Sequence, residues 1–113
     1  MGRFQGGLSS RTATDLGAVA ISAAIERSGI KPEDVDFAYL GNVVAAGTGQ
    51  VPARRAAAEA GIPLTVPSTL LNRACLSGMH AIHLASQMIR LGEAGTVVAG
   101  GMESMTNSPY LLT

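Results

Sequence analysis

The stretch LLNRACLSGMHAIHLASQMIRLG, Leu70 to Gly92, decides how this chain is read. An extended apolar run gives way, around the only cysteine, to a segment expected to be helical as far as about Leu91, with Gly92 just past its end. Cys75 then stands at a strand-to-helix transition, close to backbone N–H groups without intrahelical partners and to the positive end of the helix dipole. Such a place favours the thiolate, the nucleophilic form of a thiol. The Cys75 N–H is itself a candidate donor to an oxyanion, as acyl transfer requires. Gly78 has no side chain, so a second backbone or a substrate can approach closely. The competing reading makes Cys75 a small buried hydrophobe, and the residues around it leave both open.

Working outward, the preceding segments alternate. Thr12 is placed to cap a helix and Asp15 to put negative charge in its first turn, with Leu16, Val19, Ala20, Ala23 and Ala24 recurring at helical spacing. Gly29 ends that helix and KPED turns the chain. VDFAYLGNVV, Val35 to Val44, reads as a strand, AAGTGQ as a loop, and PARRAAAEA as a second helix with Pro52 in its first turn and a stop at Gly61. In PLTVPSTLLNRA, Pro67 argues for a strand at the sheet edge, so Thr65 to Asn72 is expected there. GTVVAGG is a short apolar strand, and MESMTNSPYLLT a loop. Helix, strand, helix, strand, helix, strand is the order of an α/β protein with a mostly parallel sheet and crossover helices.

Length and composition bound the remaining classes. The chain has 113 residues, enough for one small domain. Eight basic and eight acidic residues cancel, and no patch suggests a nucleic-acid partner. No apolar run is long enough to span a bilayer. Hydrophobic residues make up 47% of the chain, which suits a packed α/β interior. A single cysteine excludes an internal disulfide and fits a reducing compartment, so the expected location is the cytoplasm. The polar, glycine-rich start lacks a secretory core. Arg3 and Arg11 make a transit peptide the lesser reading, because no amphipathic helix forms before Thr12. No dinucleotide fingerprint is present.

Other candidate residues read as structural. His80 and His83 lie three apart and share a helix face, but further metal ligands are missing, so no metal site is expected. At 1.5 Å rise per residue they sit about 7 and 12 Å along the axis from Cys75, too far for a direct base. Arg54 and Arg55 read as a solvated helix surface. Met79, Met88, Met102 and Met105 read as core or interface fillers.

Three segments together resemble one family, the thiolases. NRACLSGMHA resembles the nucleophile segment, GNVVAAGTGQVPARRAA the Gly-Asn-Val segment before it, and VVAGGMESMTNSPYLL the later Gly-Gly-Met-Glu-Ser-Met segment. They occur in the family's order and cover nearly the whole chain. The resemblance implies acyl-CoA C-acyltransfer. Cys75 matches the residue that takes the acyl group as a thioester, and a second acyl-CoA, deprotonated at its α-carbon, attacks that thioester to give 3-oxoacyl-CoA. The reverse reaction is thiolysis. CoA and acyl-CoA enter as substrates, and no bound cofactor is implied. The helix after Cys75 matches a buried family helix. An arginine equivalent to one of the Arg54–Arg55 pair ties its helix to neighbouring loops, and Glu103 supports the fold around the site, although its place after a strand also admits an acid catalyst.

The resemblance also sets expectations about what accompanies the chain. Residues 1–113 match part of the N-terminal domain, truncated at both ends. The Asn-Glu-x-Phe, Gly-His-Pro and Cys-x-Gly-Gly-Gly segments of the second half, with their histidine and acid/base cysteine, do not occur in it. The isolated chain is therefore expected to be inactive, and to work as a homo-oligomer or with a complementing C-terminal half. The family's first strand is expected in mid-sheet, so its loss would separate the strand near Phe37–Val44 from that near Thr96–Gly100. The alternatives are a non-catalytic interaction module, a subunit of a split thiolase and, less favoured because of GGMESMTNSP, a ketosynthase-type condensing enzyme.

Overall fold

The computed structural model describes residues 1–113. Helix α1, Ala13–Ser28, begins with a reciprocal cap: the Asp15 N–H donates to Thr12 Oγ1 at 3.1 Å and the Thr12 N–H to Asp15 Oδ2 at 2.9 Å. It ends on Gly29 in the left-handed conformation. Strand β1 is Phe37–Gly41, α2 is Pro52–Glu59, β2 is Ser68–Leu71, α3 is Ser77–Arg90 and β3 is Val97–Gly101. One 3₁₀ turn, Pro32–Asp34, precedes β1 and another, Met105–Asn107, follows β3. No helix is long and apolar enough to cross a membrane.

The three strands form a parallel sheet in the order β2-β1-β3. Period-two alternation divides β1 between two layers. Ala38 and Leu40 are buried in a cluster with Ile21 and Ile25 of α1 and Ala53, Ala56 and Ala57 of α2. Gly41, of opposite parity, meets Ser77 at the start of α3, so α3 covers the other face. The result is an α/β/α sandwich. Strand β2 lies at the edge, where Pro67 placed it, and its neighbour Pro67 contributes only a carbonyl, which accepts from the Ala38 N–H at 3.1 Å.

The expectation of a missing strand between β1 and β3 is overturned. The two pair directly, with Phe37 opposite Val97 and Gly41 opposite Gly101, so the backbone of β1 is satisfied on both sides. β1 is also shorter than the apolar run Val35–Val44. Its continuation leaves the sheet because the N–H groups of Val43 and Val44 are taken by the Glu103 carboxylate.

Helix α3 departs from the buried helix that the resemblance implied. Only Ser77, Ala81 and Ala85 are buried, whereas Met79, Ile82 and Ile89, with Leu91 just past the helix, are exposed. The methionines therefore divide. Met102 is core, Met88 is half-buried, and Met79 and Met105 are exposed rather than core fillers. Arg54 does more than decorate a surface: its guanidinium donates to the carbonyls of Leu64 and Val66, tying α2 to the approach to β2. Arg55 pairs with Glu59 one turn along at 2.8 Å.

Asp36 fixes the start of β3 against the start of β1. Its Oδ2 accepts from the N–H groups of Gly95 at 2.8 Å and Thr96 at 2.9 Å, and its own N–H donates to Thr96 O at 2.9 Å. The N–H of Thr96, then that of Gly95, holds the carboxyl below the usual carboxylate range. A carboxyl depressed in the folded state adds stability above its unfolded pKa of about 3.9 and loses it as pH falls through the folded value. In urea denaturation, the stability difference between wild type and Asp36→Asn should therefore be level above about pH 5 and shrink steadily below about pH 4. A difference that stays constant down to pH 3 would show that the carboxylate charge contributes nothing.

Candidate active site

The site forms where α3 begins. After β2 the chain makes a tight turn over Arg73–Leu76, closed by the Leu76 N–H donating to Arg73 O and the Ser77 N–H donating to Ala74 O, each at 3.1 Å. Ala74 has φ of +49°, a left-handed conformation that costs a residue with a Cβ roughly 1–2 kcal/mol. Two side chains hold it there. The buried Ser77 hydroxyl accepts from the Arg73 N–H at 2.8 Å and donates to Ala74 O at 2.6 Å. Asn72 Oδ1 accepts from the Ala74 N–H at 3.0 Å.

Cys75 sits in this turn, two residues ahead of the first helical residue, and it is exposed. The reading as a small buried hydrophobe is overturned. The expected supply of free N–H donors is also corrected, since those of Leu76 and Ser77 are used in the turn. The Cys75 N–H belongs to no helix or strand and has no partner among the turn and loop hydrogen bonds, which leaves it available to an incoming acceptor. Beside the thiol opens a cleft of about 250 Å³, lined among others by Gly41, Asn42, Cys75, Gly78 and Glu103.

The floor of the cleft is pinned across the ends of β1 and β3. The Gly41 carbonyl accepts from the Met102 N–H at 2.9 Å. Glu103 Oε2 accepts from the Val43 N–H at 2.8 Å, and Oε1 from the Val44 N–H at 3.1 Å and from Asn42 Nδ2 at 2.6 Å. Asn42 Nδ2 also donates to Met102 O at 3.2 Å. With both neighbours acceptors, the amide can point only one way, and its buried Oδ1 is left without a donor. Glu103 thus does the supporting work expected of it.

The structure brings Cys75 and Glu103 to one cleft and leaves the histidines outside it. The half-buried His80 places Nδ1 3.2 Å from the Arg73 guanidinium, and the exposed His83 stacks on it with ring centroids 6.2 Å apart. Asn42, Asn72 and Ser77 were not singled out from the sequence. Each stands inside a resembling segment, but nothing local marks an asparagine that bonds across 29 or 60 positions.

Known proteins are similar to nearly the whole of this chain. A family model described as thiolase, N-terminal domain, matches residues 1–113. The cytosolic acetyl-CoA acetyltransferase of Gibberella zeae is 55% identical over 112 residues, covering 99% of this chain and 28% of that protein. The mitochondrial acetyl-CoA acetyltransferase of Bos taurus is 51% identical over 112 residues, covering 99% and 26%. The crystal structure of Acat5 thiolase from Ascaris suum in complex with coenzyme A superimposes with a TM-score of 0.97 at 37% identity, covering 99% of this chain and 29% of that one. The chain thus spans under a third of the length of these relatives.

The Asn42 environment yields a sharp expectation. Asn42→Asp replaces a donor facing Glu103 by a second carboxylate in a buried position. The variant should lose about 3 kcal/mol or more in urea denaturation at pH 7. Part of the loss should return as pH falls toward 5, because burial and the like charge raise the new carboxyl's folded pKa above its unfolded one. Wild-type stability at pH 7 would show that this side chain is not confined as described.

Proposed function

The chain belongs to the thiolase family, and from that membership we propose that Cys75 is the residue acylated by acyl-CoA. The observation that carries the reading is an exposed thiol held in a strained turn immediately before a helix and opening into a cleft. In the first half-reaction the Cys75 thiolate adds to the thioester carbonyl of acyl-CoA. The Cys75 N–H lies on the attacking residue itself and is free to donate to the developing oxyanion. Collapse expels CoA thiolate and leaves an acyl-Cys75 thioester. In the second, the α-carbanion of another acyl-CoA displaces the Cys75 thiolate, forming the carbon–carbon bond of 3-oxoacyl-CoA. Thiolysis reverses both steps. CoA and acyl-CoA are substrates in this scheme, and no bound cofactor takes part.

By itself the chain is proposed to stop at the first half-reaction. The histidine and acid/base cysteine of the thiolase pattern are not among its 113 residues, and catalytic groups that act as a unit lose far more than a proportional share when separated. The second reading is an interaction module, favoured by the edge strand β2 and by the exposed Met79, Ile82, Ile89 and Leu91. Both readings have the chain associate with itself or with a complementing polypeptide. The cytoplasm is the proposed compartment. A single exposed thiol suits reducing conditions, and the similar Gibberella protein is named cytosolic, while the bovine one is named mitochondrial.

Three measurements test this. Incubation with acetyl-CoA followed by peptide mass spectrometry should add one acetyl group at Cys75, absent in Cys75→Ala, with no sustained thiolysis of acetoacetyl-CoA. An unmodified Cys75 that iodoacetamide nonetheless alkylates would remove the nucleophile reading. Steady turnover lost on Cys75→Ser would remove the claim of half-reaction only. Sedimentation at micromolar concentration should show oligomers, and a clean monomer would count against association.

A further inference from the structure

We propose that Glu103 is a positioning residue for Cys75, acting through a relay of hydrogen bonds that runs from its carboxylate to the turn carrying the thiol. The purpose of the relay rests on the reading of Cys75 as nucleophile, while its geometry does not. Glu103 Oε2 accepts from the Val43 N–H at 2.8 Å. The carbonyl of the same residue, Val43, accepts from Asn72 Nδ2 at 3.3 Å. Asn72 Oδ1 in turn accepts from the Ala74 N–H at 3.0 Å, and Ala74 is the left-handed residue bonded to Cys75. Each relay member uses a different atom to receive and to pass on the constraint. Asn72 presents one end of its amide to each neighbour, so its orientation is decided by both.

Just past β1, Asn42 also ties the strand end to Met102 and Glu103, but it bonds neither Val43 nor the Cys75 turn. The backbone pairing of β1 with its neighbours ends with Asn42 N–H to Leu71 O and Met102 N–H to Gly41 O. Past that point, the Val43–Val44 backbone is tied to the β3 side only by the carboxylate, and to the Cys75 turn only by Asn72. Both Glu103 oxygens face N–H donors, so an amide in its place must either turn an NH₂ toward a donor or leave one N–H without an acceptor. Releasing the Val43 backbone removes the fixed end of the relay. The Asn72 restraint on the left-handed Ala74 then slackens, and the orientation of the thiol in the cleft broadens.

The test reads thiol presentation in the 113-residue chain and needs no acyl transfer, so it stands or fails separately from the nucleophile reading. Rates of Cys75 alkylation are measured with a small reagent, iodoacetamide, and a bulky planar one, N-phenylmaleimide. The ratio of the two rates reports cleft geometry. Glu103→Gln and Asn72→Leu should each change that ratio by about threefold or more, the effect of losing one ordinary hydrogen bond. The double variant should change it no further than the larger single effect, because both cut one relay. Glu103→Asp, which keeps the carboxylate, should recover part of the wild-type ratio. Ile21→Val, a core change away from the cleft, should leave the ratio unaltered and so separates positioning from loss of stability. If Glu103→Gln does not fold, Asn72→Leu, at an exposed residue, carries the test against the Ile21→Val control. A wild-type ratio in the single variants, independent multiplication of their effects in the double variant, or an equal change in Ile21→Val would overturn the proposal.

Discussion

The close approach of the first turn of α3 to the ends of β1 and β3 governs the rest of the molecule. A Cβ on Gly41 would lie 2.6 Å from Ser77, inside any contact that real atoms tolerate, and one on Gly101 would lie 3.2 Å from the Gly78 Cα. Backbone therefore rests on backbone, with no layer of side chains between helix and sheet at this end. That proximity sets the height of the Arg73–Leu76 turn above the strand ends, and hence the position of Cys75. A side chain at Gly41 would displace the helix terminus and with it the turn that carries Cys75, and one at Gly101 would press more gently on Gly78.

Away from this end the packing is modest. Only 20 of the 113 residues are buried, and most of the buried hydrophobic ones are alanine. Apolar burial contributes in proportion to area, so alanines bring α1, α2 and the sheet close together while adding little stabilisation each. The larger core side chains, Ile21, Ile25, Leu40 and Ile62, gather on the α1–α2 side of β1. The exposed side of α3 is mixed, with Met79, Ile82 and Ile89 beside His83, Ser86, Gln87 and Arg90. Exposed apolar side chains on an otherwise polar helix surface form a small patch that can pack against a further element. The site end is held instead by polar bonds between distant parts of the chain: Glu103 with Val43 and Val44, Asn42 with Met102, and Asn72 with Val43.

Such bonds also account for the shape of the loops. Residues Val43 and Val44 have strand-like side chains but no strand neighbours, because a carboxylate supplied from beyond β3 satisfies their N–H groups first. The N-terminal residues are treated similarly. Ser104 Oγ and Asn107 Nδ2 donate to the Arg11 carbonyl, Asn107 Nδ2 also to that of Ser9, and the Gln5 N–H donates to Thr106 Oγ1. The segment after β3 thus organises both the floor of the cleft and the approach to α1.

What the sequence by itself determined was local or periodic. Thr12 and Asp15 marked the start of α1, Gly29 its end, Pro52 the first turn of α2 and Pro67 the edge of the sheet, because capping, left-handed φ and a missing N–H act within a few residues of where they are written. The three resembling segments identified the family and drew attention to Cys75. What only the tertiary structure decided was which distant groups meet. Strand order was one such matter: β1 and β3 are adjacent, contrary to the gap expected between them, since lateral order depends on how crossovers pack and not on any residue within a strand. The exposure of Cys75 was another, along with the open face of α3 and the roles of Asn42, Asn72 and Ser77. Burial and hydrogen-bond partnership are properties of the space around a side chain, and across 29 to 61 positions of sequence that space is set only when the helices close on the sheet.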